Sequence, residues 1–225
     1  MKYKRVLPEQ IAMQLRRDIL RGRLRAGSSL KERDCAAEMG VSRTPMREAI
    51  RILAREGLVI LRPSRSPLVA NPDLKEISDQ VVVLVSLEQL SARLACLHAT
   101  EADIARLTKI SDHMAEHFDT TDPLDMFEID MSFHTAIATA SQNASLAETH
   151  GIYLARLWRA RYLSAIRRRS RDRVLRQHTG IVQGLMNRDA DQAKGQIHAH
   201  LEHLLINIRH RFEHDEAEEI AADSA

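Results

Sequence analysis

The chain has 225 residues, 44% of them hydrophobic and 28% charged, with only 8 glycines, 6 prolines and 4% aromatics. Low glycine and proline argue against a β-sandwich or barrel and favour a mainly α fold of one or two domains. The formal net charge of +2 conceals a split: residues 1–70 carry 16 Lys and Arg against 7 Asp and Glu, the remainder 17 against 24, and all 11 histidines fall in the second part. A basic front third predicts an anionic partner, nucleic acid foremost, and the histidine-rich remainder predicts a different task.

In chain order, Ile11, Leu15, Ile19, Leu20 and Leu24 recur at helical spacing over residues 8–25, with Pro8 in the first turn. A second helix is predicted over Lys31–Met39, closed by Gly40 as a left-handed cap and Val41 as its apolar anchor. A third follows, capped by Ser42 or Thr44, with Met46, Ala49, Ile50 and Leu53 on one side and Arg43, Arg47 and Arg51 on the other, and ends at Gly57. Leu58–Leu61 and Leu68-Val69 read as two short strands around Arg62–Pro67. Helix, short helix, glycine turn, capped helix and hairpin is the order of a winged helix-turn-helix. Its third helix would enter the major groove by its N-terminal end. There Arg43, Thr44 and Arg47 reach base edges or phosphates, with Arg33, Lys31 and the hairpin arginines Arg62 and Arg65 against the backbone.

From Asp73 onward the periodicity is helical throughout. Expected helices run to Ala99, from the capping box Thr100–Asp103 to about Phe118, and from Asp122-Pro123 to about Ser141. Three more cover Leu146–Ile166, Asp172–Arg188 and Ala190–Arg211. Six helices of this length fit an all-α bundle. The domain boundaries are therefore 1–72 for the winged helix-turn-helix, 73–214 for the bundle and 215–225 for an acidic flexible tail. The run Arg167–Arg173 reads as a solvated loop, and Trp158 and Tyr162, one turn apart, as core or pocket wall.

Polar residues on apolar faces are the informative ones here. Asp130 and His134 lie one turn apart on the stripe marked by Phe127, Ile137 and Ala138, and a buried carboxylate needs a partner or a metal. His178 falls between Val174 and Ile181. His198 and His200 flank the buried face of the last helix on opposite sides, and the helical wheel does not choose between them; His203 is expected to face solvent. One Asp and three His from three helices would bind a divalent transition metal octahedrally, with positions left for water or ligand, and Zn²⁺, Ni²⁺ and Mn²⁺ all fit.

Two stretches carry a resemblance. Gly22–Arg33 followed by Met39–Val59, with its Ser-Arg-Thr-Pro-Met-Arg core at 42–47, resembles the DNA-binding domain of GntR-family bacterial transcription regulators over about residues 8–70. The resemblance implies operator contacts from Arg33, Arg43, Thr44 and Arg47. It departs at the wing, where the family carries a glycine and this chain has Arg65-Ser66-Pro67, so Arg65 is the residue left to enter a narrow groove. Asp130–Ile137, Asn143–Leu146, His178–Ile181 and Asp191–Leu201 are similar to the FCD effector-binding domain of FadR-type members, over about residues 74–212. That resemblance implies Asp130, His134, His178 and His200 as metal ligands beside a small carboxylate effector, and so selects His200 over His198. A second departure lies in the first bundle helix. The family's arginine three residues before a glutamate that matches Glu88 is here Val85, so either another cation holds the effector's carboxylate, for which Arg156 and Arg159 are the candidates, or the effector is not a typical hydroxy- or keto-acid.

The function expected is thus a ligand-responsive transcription regulator, acting as a repressor, that binds a palindromic double-stranded operator as a homodimer and is not an enzyme. Competing with it are a metal-dependent hydrolase carrying a DNA-binding domain, and a DNA-binding protein without a small-molecule effector. No apolar run approaches the ~18 residues of a membrane span, and residues 1–6 do not read as a signal peptide. With Cys35 and Cys96 as the only cysteines and no CxxC, a reduced cytoplasmic chain is expected.

Overall fold

A computed structural model describes residues 7–168 and 170–223, apart from the side chains of 167, 168, 211 and 213–223. The chain divides into two compact units, Met1–Asp73 and Leu74–Ala225.

The first unit is built on α1 (Leu7–Leu20), α2 (Glu32–Glu38) and α3 (Arg43–Arg55), followed by β1 (Val59–Arg62) and β2 (Arg65–Val69). Its core closes because each helix offers one apolar stripe: Ile11, Leu15 and Ile19 from α1 meet Met46, Ile50 and Leu53 from α3, all at most 4% exposed. At the end of α2, Gly40 takes φ 65° and the Val41 amide donates to the Ala36 carbonyl at 3.0 Å, the glycine-capped exit that the sequence predicts. The bidentate Arg16–Glu56 pair, at 2.6 and 3.0 Å, ties α1 to the end of α3. The hairpin is longer than its apolar residues suggest. The strands pair antiparallel from Val59↔Val69 to Arg62↔Arg65, with an irregularity between Ile60 and Arg62. The turn has no glycine, and Ser64 itself adopts the left-handed conformation at φ 53°.

The second unit is a bundle of α4 (Leu74–His98), α5 (Glu101–His117), α6 (Pro123–Ala140), α7 (Ala144–Arg156), α8 (Trp158–Arg168), α9 (Arg171–Met186) and α10 (Ala190–Asp223). The capping box forms as predicted: Thr100 Oγ1 accepts from the Asp103 amide at 3.1 Å, and Asp103 Oδ2 from the Thr100 amide at 3.1 Å. Asp122 Oδ1 caps α6 through the Leu124 amide at 3.0 Å, with Pro123 in the first turn. Asn143 caps α7 through the Leu146 amide at 3.0 Å.

Four expectations need correction. The predicted helix over Leu146–Ile166 is two, broken at the fully buried Leu157; neither glycine nor proline marks the break, so periodicity alone runs through it. The α10 backbone stays helical to Asp223, through the acidic segment expected as a flexible tail; the side chains of 215–223 and residues 224–225 lie outside the described residues. The basic run expected as a solvated loop is mostly helical: the backbone of 167 and 168 closes α8, Arg171 and Arg173 lie in the first turn of α9, and Arg171 pairs with Asp119 at 3.0 Å, while residue 169 lies outside the described residues. Finally, α4 is long and apolar enough to cross a membrane by length and composition. In the fold it packs against α6, α7, α9 and α10, and it buries Ala92, Ala95 and a charged residue, Glu88, which mark it as a bundle helix.

Two local features hold α9 and α10 in register with α4. Gly184 leaves no room for a side chain: a Cβ there would stand 2.8 Å from the Ala193 amide nitrogen. In the loop between them, Arg188 donates to the Ala95 and Cys96 carbonyls at 3.3 and 3.4 Å, satisfying the open end of α4, while Asp189 Oδ1 caps α10 through the Gln192 amide at 2.9 Å.

A candidate metal centre and a candidate DNA-binding face

In the first unit, Arg33, Arg43, Thr44, Arg47 and Arg65 are all exposed. Lys31, Arg33 and Arg43 line one face of a groove whose other side is the wing, from Ser64 to Pro67. The acidic neighbours are few and loosely paired: Glu32 with Arg47 at 3.3 Å and Asp34 with Arg33 at 3.4 Å, both solvent-accessible and weak. Arg62 is different. Its Nε and one terminal nitrogen donate to the Ser66 carbonyl at 2.9 and 2.6 Å, so it closes the wing across its own turn instead of reaching outward.

In the second unit, α6 brings Asp130 and His134, α9 brings His178 and α10 brings His200 to one point. Their ligand atoms all lie within 4.8 Å of one another. Asp130, His134 and His178 are buried, and His200 sits at the rim, partly exposed. His198 is exposed and outside the cluster. His203, expected to face solvent, instead lines the cavity beside His200.

The Nδ1 atoms explain why the imidazoles converge by their other nitrogens. His134 Nδ1 is 2.6 Å from Glu88 Oε2, His178 Nδ1 is 2.8 Å from the Val174 carbonyl, and His200 Nδ1 is 3.2 Å from Gln177 Oε1. A carbonyl and a carboxylate only accept, so His134 and His178 carry their hydrogen on Nδ1, and each Nε2 presents a lone pair. His178 Nε2 is then 2.8 Å from Asp130 Oδ1. Two acceptors at that distance need a second proton or a shared cation between them. Ligands set at right angles around one ion, at roughly 2.05 Å each, stand about 2.9 Å apart. Asp130, His134, His178 and His200 are therefore a donor set that could hold a divalent transition ion.

Electrostatics favour the neutral, ligating form of His134 and His200. Loss of water pushes His134 below its ordinary value, and Glu88 pulls the other way without prevailing. Loss of water also pushes His200 well below its ordinary value, helped by His178 and His134. Burial works against ionisation of Glu88, yet His134, with His150 and the charge of Arg161 nearby, outweighs it and holds that carboxyl well below the usual range.

Two of these residues escaped the sequence-based site. Glu88 enters as the acceptor of His134. Arg161, 4% exposed, reaches Glu88 Oε1 at 3.3 Å and places a guanidinium N–H 2.9 Å from His134 Nε2, donating to that lone pair. The expected effector cations lie elsewhere. Arg156 is exposed and stacks over Tyr153, and neither it nor Arg159 lines the cavity beside the cluster. The break at Leu157 separates α8, which carries Arg161, from α7.

Comparison with known proteins agrees with both units. The model of the family described as bacterial regulatory proteins, gntR family, matches residues 7–69, and that of the FCD domain matches residues 80–203. The chain is 28% identical over 201 residues to the HTH-type transcriptional repressor RspR of Escherichia coli, covering 89% of this chain and 88% of that one. It is 29% identical over 180 residues to the Nta operon transcriptional regulator of Aminobacter aminovorans, covering 79% and 83%. The solved structure of Escherichia coli McbR/YncC shares the fold, with a TM-score of 0.78 over 92% of this chain and 99% of that one at 17% identity.

Proposed function

The chain belongs to the gntR family of bacterial regulatory proteins and carries an FCD domain, a family of DNA-binding transcriptional regulators and not of enzymes, and from that premise we propose that it is a metal-containing repressor relieved by a small carboxylate effector. The reading excludes the hydrolase alternative on family grounds.

On the DNA side, a homodimer in the cytoplasm sets one α3 into each half of a palindromic operator. Arg43, Thr44 and Arg47 at the start of α3 meet base edges and phosphates, Arg33 and Lys31 meet the backbone, and Arg65 on the wing enters the adjacent minor groove. Ser64 supplies the left-handed residue for which the family uses glycine, and the Arg62 clamp keeps the wing tip rigid. Exposed Val82 and Val83 on α4 and Ile152 on the adjacent α7 offer an apolar face for the second copy.

On the sensor side, the observation that carries the reading is the arrangement of three imidazoles. Each is held by its Nδ1, and they converge with Asp130 on one point. A bound divalent ion would supply a Lewis-acidic position for an effector carboxylate. With an ion on the His134 lone pair, Arg161 would keep Glu88 and its remaining N–H groups would be available to the carboxylate. Arg161 thus performs the task for which Val85 lacks the side chain. The effector weakens operator binding only in so far as it binds the DNA-free arrangement better, and the coupling is reciprocal.

The test is fluorescence anisotropy on an operator fragment obtained by selection from genomic DNA, using zinc-loaded protein and a panel of short carboxylates. A carboxylate that weakens binding of wild type, but not of an Arg161→Gln variant, is the expected result. Equal DNA affinity with and without every acid, or an undiminished response in Arg161→Gln, overturns the sensor reading.

A further inference from the structure

The cavity beside the histidine cluster measures about 70 Å³, roughly two water volumes. It lies between α6, α8, α9 and α10 and carries a second guanidinium that the single-carboxylate reading does not use. Arg173, in the first turn of α9, lines it together with Ser164, His203 and Asn207. The Arg173 Nε is buried and has no hydrogen-bond partner among the described residues. A buried N–H donor left unsatisfied is costly and marks a place where an acceptor belongs.

The charge balance says which acceptor. Glu88 and Asp130 contribute two negative charges, and Arg161 and Arg173 two positive ones, so these side chains cancel. A divalent ion on the cluster leaves this partly buried site two charges positive, an excess that favours an anion beside it. A monoanion removes half of that excess, and a dianion removes it all.

We infer that the effector is a short dianion, with part of its charge at the ion and Arg161 and the rest at Arg173. The inference rests on the proposed metal-and-acid sensor and deepens it by fixing the charge of the ligand. Dicarboxylates and phosphates share this chemistry. Arg173 is the specificity-determining residue: it discriminates between anions of equal size and different charge, while the ion and Arg161 serve both.

The experiment is calorimetric titration of the zinc-loaded full-length protein with butanoate, succinate, propanoate, malonate and inorganic phosphate. Zinc content is checked after each run, in wild type, Arg173→Gln and Arg173→Lys; equal melting temperatures of the three metal-free proteins establish that they fold alike. The wild type is expected to prefer a dianion to its monoanionic match by about tenfold or more, as one added charge-assisted hydrogen bond gives. Arg173→Gln should abolish that preference without changing monoanion affinity, and Arg173→Lys should retain part of it. Succinate or malonate as the preferred dianion identifies a dicarboxylate ligand. Phosphate preferred with the same dependence on Arg173 identifies a phosphate or phosphate ester. Equal affinity for mono- and dianions in wild type, or a preference that survives Arg173→Gln, overturns the inference and leaves the sensor reading intact. Failure of every acid to bind zinc-loaded protein overturns both.

Discussion

Replacing Glu88 by Gln is a near-isosteric change that tests the organisation of the whole cluster. Glu88 is 2% exposed and its two oxygens serve three neighbours: His134 Nδ1 at 2.6 Å, Arg161 at 3.3 Å and His150 Nε2 at 3.5 Å. A Gln side chain offers one acceptor oxygen and an NH₂ group. If the oxygen stays with His134, the amide hydrogens face the Arg161 guanidinium; if it turns to Arg161, His134 loses the partner that fixes its tautomer. Either way a buried cation loses its counter-charge, which costs about 3–5 kcal/mol. For a unit of this length that corresponds to a fall in Tm of roughly 6–20 °C. Loss of the acceptor behind a ligating histidine should also weaken metal binding about 10–100-fold. Thermal melts of metal-free protein followed by melts in zinc-buffered solution separate the two effects, since bound metal raises Tm by mass action. A variant melting within about 2 °C of wild type, with the same zinc dependence, would refute the reasoning.

Arg47→Ala should leave folding intact, because its ion pair with Glu32 is exposed, while weakening specific operator binding by about 1–3 kcal/mol; filter binding at two salt concentrations checks it, and unchanged affinity removes Arg47 from the interface. Metal-free protein should lose stability on acidification below about pH 6.5. His134 and His200 titrate in the unfolded chain near 6.5 and lower in the fold, so the unfolded state binds the extra protons, at up to about 1.4 kcal/mol per pH unit for each. Urea melts between pH 7.5 and 5.5 measure this, and a flat or rising profile contradicts it. Gly184→Ala should cost about 1–3 kcal/mol despite the better helix propensity of alanine, because the atom in the way is the Ala193 backbone, which cannot step aside; an unchanged denaturation midpoint would count against so close an approach of α9 and α10.

Much of this was legible in the residues. Periodicity and caps locate most of the helices, since Gly40, the Thr100–Asp103 box and Asp122-Pro123 each have a local physical role; the Asn143 cap of α7 emerged only in the structure. The rule that a polar residue on an apolar stripe is informative found Asp130, His134 and His178, and the resemblance chose His200. The same rule, applied one helix further, finds Arg161: it lies on the buried face with Leu154 and Leu157, but in a segment that also holds Arg156 and Arg159, where one more arginine looks like surface. The break at Leu157 was illegible, because no residue there prohibits a continuous helix. His203 was misplaced because α8 and α9 pack over the edge of α10 that a wheel drawn for that helix alone leaves in solvent. The wing turn was partly legible: absence of glycine was plain, while the left-handed Ser64 and the Arg62 clamp that replace it are products of hairpin pairing.

The measurement that bears most directly on the central claim is the metal stoichiometry of the full-length protein, by elemental analysis and native mass spectrometry after equilibration with limiting zinc. Wild type is expected to hold one ion per chain, and a His134→Ala, His178→Ala double variant to hold none while remaining folded by circular dichroism. Equal zinc in the two proteins, or none in either, would contradict the account.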